Sequence, residues 1–271
     1  MKIALIQMNV CADKLENLRR AERLVREAAA GGADLVMLQE MFCCEYNNKA
    51  FIENRESTGG TVWQTLSRSA AENDVWLIGG SIPEDEGENI YNTSFVFDRS
   101  GRQAAFHRKM HLFDIAVEGG QQFRESQTFT AGNEITLFHT EYGRMGLCVC
   151  FDIRFPELSR LMALDGARVI FCPASFNMTT GPAHWELLFR SRAVENQLFT
   201  AGCSCARDVT GTYVSYGNSI IVSPWGNILA RAGAEETIIY ADLDLDLIGK
   251  VRRELPLMSA RRHDIYRLER K

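Results

Sequence analysis

A chain of 271 residues, 46% of them hydrophobic and 24% charged, is long enough to bury a large core as one α/β domain or two small ones. Its 30 basic and 35 acidic side chains leave a net charge of -5, so no global positive field exists to gather nucleic acid. The opening MKIALIQMNV is too short for a secretory core or a membrane span, and no later run of about 18 apolar residues follows. These features predict a cytoplasmic protein with no membrane association, whose eight cysteines sit in a reducing compartment.

KIALIQMNV reads as the first strand. An amphipathic helix follows over residues 14–29, with Leu15, Leu18, Ala21, Leu24 and Val25 on one face and Gly31-Gly32 as its stop. ADLVMLQ, VWLIGGSI and NTSFVFD are the next strands, and AAFHR is a shorter one. RMGLCVC, a helix over PELSRLMALDG and ARVIFCPAS form a strand, helix, strand unit, with Pro156 and Glu157 opening the helix. A further helix over PAHWELLFRSRAVENQ precedes the strand LFTAGCS, and NSIIVS and ETIIYADL are the last strands. Such alternation implies a sheet covered by helices. No repeat, low-complexity tract or linker divides the chain, so one domain over residues 1–271 is expected. In the basic closing segment, Leu255, Leu257, Ile265 and Tyr266 are interleaved with the charges. From about residue 250 that segment reads as an arm packed on a partner subunit, in preference to a nucleic-acid tail.

The cysteines separate by spacing. Cys43 and Cys44 are adjacent, Cys148 and Cys150 are two apart, as are Cys203 and Cys205, and Cys11 and Cys172 stand alone. No CxxC pair occurs and the five histidines do not complete a zinc pattern, so no metal is indicated and a thiol redox role is disfavoured. Most of these thiols read as small buried hydrophobes. In RMGLCVC, alternation points Met145, Leu147 and Val149 one way and Gly146, Cys148 and Cys150 the other. Cys148 is then core. Cys150 falls at the carboxyl end of the strand, the edge where open α/β sheets bind ligands. A helix N-terminus and any nearby cation would favour its thiolate. Position alone leaves nucleophile and core residue both open.

A nucleophilic thiol needs a base. His107 and His111 flank RKM, His139 follows an apolar strand and His263 lies near the basic end, all unpromising surroundings for a base; only His184 stands near another polar cluster, as a minor alternative. Glu40 falls at the end of a buried strand, where a lone carboxylate is costly unless paired or used. Lys109 ends the short strand AAFHR. Each is weak by itself.

Taken in order, KIALIQM, LVMLQEMF, RKMHLFD, GLCVCFDIRFPEL, SFNMTTGPAHWELLFRSRAVENQ, SPWGNILA and RRELPLMSARRHDIY resemble the nitrilase superfamily of carbon-nitrogen hydrolases over nearly the whole chain. The resemblance implies a four-layer αββα sandwich and a homodimer or larger assembly. It implies Cys150 as nucleophile, Glu40 as general base, Lys109 as the cation and Glu125 as a second glutamate beside the lysine. Lys109 and the backbone N–H of Phe151 would then stabilise the oxyanion, and the acyl group would rest on sulfur as a thioester. No cofactor is required.

SFNMTTGPAHWELL and the later CARD look closest to the omega-amidase branch, whose members hydrolyse monoamides of 2-oxo dicarboxylic acids. For 2-oxoglutaramate or 2-oxosuccinamate, Arg154 could fork the carboxylate while Thr179, Thr180 or Tyr46 supply hydroxyls. Plainer readings stand beside these: Arg154 paired with Asp152 or Glu157, Thr179 and Thr180 capping a loop, and His184 and Trp185 starting and packing a helix. Rival functions are an amidase for deaminated glutathione, a nitrile hydrolase with the same triad, and a catalytically silent interaction module. Intact Glu40, Lys109 and Cys150 argue against the last.

Overall fold

The computed structural model describes residues 1–211 and 213–270. One sheet has seven strands: β1 (Lys2–Gln7), β2 (Leu35–Leu38), β3 (Trp76–Ile78), β4 (Ile82–Glu86), β5 (Asn89–Phe97), β6 (Gln103–Arg108) and β15 (Thr237–Asp242). Their order is β15-β1-β2-β3-β5-β4, with β6 also paired to β5. The other sheet has six: β9 (Thr136–Thr140), β10 (Gly143–Leu147), β11 (Val169–Ala174), β12 (Phe199–Ser204), β13 (Ile220–Val222) and β14 (Ile228–Arg231), in the order β14-β13-β12-β11-β10-β9. A hairpin of β7 (Asp114–Ala116) and β8 (Gln122–Arg124) stands apart. At the centre of each large sheet three strands run parallel, β1-β2-β3 in one and β10-β11-β12 in the other. Their carboxyl ends are where loops can assemble a site.

The helices are α1 (Lys14–Ala30), α2 (Asn48–Asn54), α3 (Thr61–Asn73), α4 (Pro156–Leu164), α5 (Gly181–Asn196) and α6 (Asp246–Glu254). Period-two alternation gives each large sheet two apolar faces. Ile3, Leu5, Leu35, Met37 and Ile78 of one sheet meet Met145, Leu147, Val169, Phe171 and Phe199 of the other in a shared inner core. The opposite face of the first sheet, with Ala4, Ile6, Val36 and Leu38, packs on Leu18, Ala21, Leu24 and Val25 of α1 and on Val62 and Leu66 of α3. Ile170, Cys172 and Val222 on the outer face of the second sheet pack on Leu158 and Met162 of α4 and Trp185 and Phe189 of α5. The layers are therefore helix, sheet, sheet, helix, the four-layer sandwich that the resemblance implies. The β10-α4-β11 and β11-α5-β12 units lie where the strand and helix patterns put them.

Four local expectations are corrected. Leu15, placed on the buried face of α1, is 56% exposed, because the apolar stripe outruns its partners at the first turn. Asp13 caps that turn by accepting from the Leu15 and Glu16 N–H groups. VWLIGGSI is not one strand. Gly80 adopts φ +59° and divides β3 from β4. His139 lies within β9 and not after it. RMGLCVC stops pairing at Leu147, so alternation holds for Met145 and Leu147 but Val149 joins Cys148 and Cys150 in the outer cluster.

Candidate active site

Cys150 opens a 3-10 turn, Cys150–Arg154, immediately after the chain leaves β10. Its φ is +47°, a left-handed conformation that a side chain bearing Cβ rarely takes. Pro156 then starts α4 at a position where its missing N–H costs nothing. Glu40 lies two residues beyond β2 and is followed by Met41 at φ +52°. A Cβ on Gly80 would stand 2.1 Å from the Gln39 carbonyl oxygen, so only glycine allows the close approach that seats this turn. Lys109 follows β6 directly, its N–H bonded to Asn92 O and its carbonyl to the Gly132 N–H. Glu125 begins the short 3-10 turn after β8.

These four side chains converge. Lys109 Nζ donates to Glu40 Oε1 at 3.0 Å and to Glu125 Oε1 at 2.9 Å. Glu125 also accepts from the Phe113 N–H at 2.7 Å and from Tyr46 Oη at 2.6 Å. Asn92 Nδ2 donates to Glu40 Oε1 at 2.8 Å. Glu40 Oε2 is left buried with no hydrogen-bond partner among the described residues, and the buried Cys150 thiol is one of the groups that act on the Glu40 carboxyl. Glu40, Lys109 and Glu125 are 0% exposed and Cys150 is 3% exposed, so bulk water screens none of their charges.

The electrostatics assign proton positions. Burial raises the pKa of Glu40, and the Glu125 charge adds to the rise while Lys109 opposes it. Burial works against the Lys109 ammonium, but Glu125 and Glu40 outweigh it and hold its pKa above the usual lysine value. Burial also pushes the Cys150 thiol up, and the charge of Glu40 pushes it further than Lys109 pulls it back. The expectation that a helix end and a cation would leave a thiolate is therefore not met. The resting group is a thiol, and a base must take its proton as it attacks.

The candidate binding residues divide. The Phe151 N–H begins the turn after Cys150, where backbone donors lack partners in the helix ladder. Tyr46 spends its hydroxyl on the carboxylate cluster. Thr179 Oγ1 accepts from the Gln121 N–H, while Thr180 Oγ1 donates to Asn177 Oδ1, which also caps this loop through the Thr179 and Thr180 N–H groups. Thr180 thus takes part in capping its own loop, whereas the Thr179 hydroxyl braces the turn between β7 and β8. Arg154 pairs with neither Asp152 nor Glu157. Its guanidinium lies over Phe176, 4.6 Å from the ring centroid, and donates to His184 Nδ1 at 3.0 Å, with Nε buried and unpartnered. Among the described residues it has no carboxylate of its own. Burial lowers its pKa. His184 is exposed beside Arg154, and Trp185 is fully buried with Nε1 donating to Asn218 O, as a packing residue should be.

Two residues at the site carry no strong sequence signal. Tyr213 stacks on Tyr46 with centroids 4.4 Å apart, and its hydroxyl donates to Ser175 O at 2.5 Å. It sits in an irregular loop, where periodicity says nothing. Asn92 sits within β5, where asparagine is uncommon, and that is only a weak signal because its burial is visible in the fold alone.

A carbon-nitrogen hydrolase family model matches residues 2–253. The chain belongs to the carbon-nitrogen hydrolase family. Omega-amidase NIT2 from Bos taurus is 47% identical over all of this chain and 98% of its own length, and omega-amidase NIT2 from Homo sapiens is 46% identical with the same coverage. Nit3 of Saccharomyces cerevisiae, a member of branch 10 of the nitrilase superfamily, superposes with a TM-score of 0.89 at 39% identity, covering 97% of this chain and 96% of that one. A mutant of the amidase from Nesterenkonia, carrying the product of Michael addition of acrylamide at its active-site cysteine, superposes with a TM-score of 0.77 at 26% identity, covering 94% and 98%. Family and sandwich are thus those the motifs imply, and this carbon-nitrogen hydrolase is an amidase. Among the described residues no helix is long and apolar enough to cross a membrane.

Proposed function

We propose that the chain hydrolyses the terminal amide of 2-oxo dicarboxylic acid monoamides such as 2-oxoglutaramate, with Cys150 as nucleophile. The observation that carries this reading is a buried Cys150 thiol acting on Glu40, whose Oε2 has no partner among the described residues, with Lys109 held between two carboxylates. The near-full-length omega-amidase relatives support the substrate class.

Glu40 takes the thiol proton as sulfur bonds to the amide carbon. The carbonyl oxygen becomes negative, and the Lys109 ammonium and the Phe151 N–H stabilise it. Glu40 returns the proton to nitrogen as the C–N bond breaks and ammonia leaves. A water then gives a proton to Glu40 and attacks the thioester. The C–S bond breaks, sulfur regains the proton, and the acid departs. Glu125, tied by Tyr46 and the Phe113 N–H, holds Lys109 in place throughout. At the far end of the substrate, Arg154 meets the carboxylate. A half-buried guanidinium without a carboxylate partner is costly by itself and is satisfied when the substrate brings one.

The enzyme is further proposed to work as a homodimer in the cytoplasm. The exposed Leu255, Leu257, Ile265 and Tyr266 along the arm beyond α6 support the dimer, and light scattering after size exclusion measures it. For the activity, ammonia release is measured with 2-oxoglutaramate, 2-oxosuccinamate, glutamine, deaminated glutathione and a simple nitrile beside a Cys150→Ala control. Preference for the two oxo-acid amides, lost in the control, is expected. Preference for deaminated glutathione keeps the chemistry and changes the substrate, and no turnover of any compound sinks the proposal.

A further inference from the structure

Asp152, two residues after Cys150, is fully buried and accepts four hydrogen bonds. They come from the Val149 N–H at 3.0 Å, His107 Nε2 at 2.9 Å, the His111 N–H at 2.9 Å and His111 Nδ1 at 2.7 Å. A carboxylate has about four acceptor positions, so this one is fully used. The donors are not scattered. Val149 directly precedes Cys150, and His107 and His111 flank Lys109 by two residues on either side. A single side chain therefore binds the turn that carries the thiol to both sides of the residue that carries the ammonium.

The two anchors are themselves fixed. His107 is 1% exposed, and its Nδ1 lies 3.0 Å from Thr136 Oγ1 on β9. The His111 ring stacks on Phe155 at 3.6 Å, just beyond the turn. Cys150 holds φ +47°, a backbone state that persists only when its surroundings impose it. Asp152 has no hydrogen bond to any of Glu40, Glu125 or Arg154, and what its own hydrogen bonds fix is the placement of the Cys150 turn against the Lys109 segment.

We propose that Asp152 is a positioning residue for amide hydrolysis, setting the separation between the Cys150 thiol and the Lys109 ammonium. The inference rests on the reading of Cys150 as nucleophile and Lys109 as oxyanion cation. Asparagine at this position keeps the shape but turns an NH2 toward a donor, so part of the clasp opens.

The test measures kcat and KM for 2-oxoglutaramate, thermal unfolding, and the rate at which iodoacetamide alkylates Cys150, followed on the Cys150 peptide by mass spectrometry. Asp152→Asn in the full chain is expected to fold, to keep KM, and to lose roughly 100-fold in kcat, the scale of a 1 Å misplacement of reacting groups. The alkylation rate falls with it. In a Lys109→Met background the same substitution should change alkylation little, because the partner that Asp152 positions is gone. Equal losses of alkylation in both backgrounds, or an unchanged kcat, overturn the proposal. Should Asp152→Asn fail to fold, His111→Gln removes one contact from a partly exposed donor, and it must show the same background dependence for the proposal to stand. Cys150→Ala separates the two failures: if it retains activity the nucleophile reading is wrong, whereas an inactive Cys150→Ala beside a fully active Asp152→Asn overturns the positioning role alone.

Discussion

Lys109 Nζ lies 3.0 Å from Glu40 Oε1, and neither side chain reaches solvent. With Glu125 on its other side, this one ammonium offsets two buried carboxylates. Lys109→Met removes the offset and leaves both acids in a low-dielectric pocket. Breaking a buried ion pair at one partner costs about 3–5 kcal/mol, which chemical denaturation should register as a large fall in the midpoint. In the fraction that remains folded, kcat should drop by about 100-fold or more through loss of the oxyanion donor. A folded variant with an unchanged rate removes Lys109 from the chemistry.

Cys150 combines a reactive position with backbone strain, and the two can be separated. Cys150→Ala removes the sulfur but keeps a Cβ at φ +47°, whereas Cys150→Gly removes both. Both variants should lack turnover. Strain at such a position is on the order of 1 kcal/mol, so the glycine variant should unfold at a temperature equal to or above that of the alanine variant. A glycine variant clearly less stable than the alanine one shows that lost packing, and not strain, governs this turn.

Gly80 offers a test of how Glu40 is seated. A methyl group there meets the Gln39 carbonyl at 2.1 Å and also imposes a Cβ on φ +59°. Gly80→Ala should destabilise the protein by about 1–3 kcal/mol and, because the displaced carbonyl precedes Glu40, lower kcat as well. Loss of stability with full kcat in the folded enzyme means that the Glu40 turn can shift without harm.

The layers were legible in the sequence because their signals are local. Leu18, Ala21, Leu24 and Val25 recur at helical spacing, and the strands of the inner core are dense in Val, Ile and Leu. The site was legible in part. Glu40, Lys109, Cys150 and Glu125 each follow a recognisable segment, but nothing in spacing says that residues 69 apart share a hydrogen bond. The sign of the Cys150 shift was missed for the same reason: a helix end is visible in PEL, whereas burial against Glu40 is a tertiary fact. His107 and His111 looked idle because their partner, Asp152, is over forty residues on. The plainer reading of Arg154 paired it with Asp152 or Glu157, but His107 and His111 fill the Asp152 carboxylate.

Arg154 should decide substrate class. Its guanidinium has free donors and no carboxylate among the described residues. Arg154→Lys keeps the charge but loses the planar fork, and Arg154→Met loses both. For 2-oxoglutaramate, kcat/KM should fall by about 10-fold or more in the lysine variant and further in the methionine variant, as expected for a lost charge-assisted bond of about 1.5–3 kcal/mol. A neutral aliphatic amide should be affected much less. Equal losses on both substrates assign Arg154 to structure.

Glu40 and Asp152 depart from ordinary carboxylates in opposite directions, which gives each its own pH signature. For Asp152, burial alone would raise the pKa, but the hydrogen bonds from His107 and His111 reverse this and hold it low. The folded state then binds this proton less readily than the unfolded chain does. Its stabilisation is complete above the unfolded value of about 3.9 and is lost as pH falls below it. Asp152→Asn should therefore flatten the acid limb of Tm against pH below about pH 4, relative to the parent. For Glu40, burial raises the pKa, so the folded state holds its proton to higher pH and any stabilisation from that proton is lost as pH rises through the raised value. Catalysis needs the ionised form, so kcat/KM should fall as pH drops through that same raised value, above the ordinary glutamate range near about 4.3. Glu125 is one of the charges that raise it. Glu125→Gln should move the acid limb of kcat/KM to lower pH, even where the maximum rate is reduced by poorer placement of Lys109. An acid limb that stays in place in that variant means the titrating group is not Glu40.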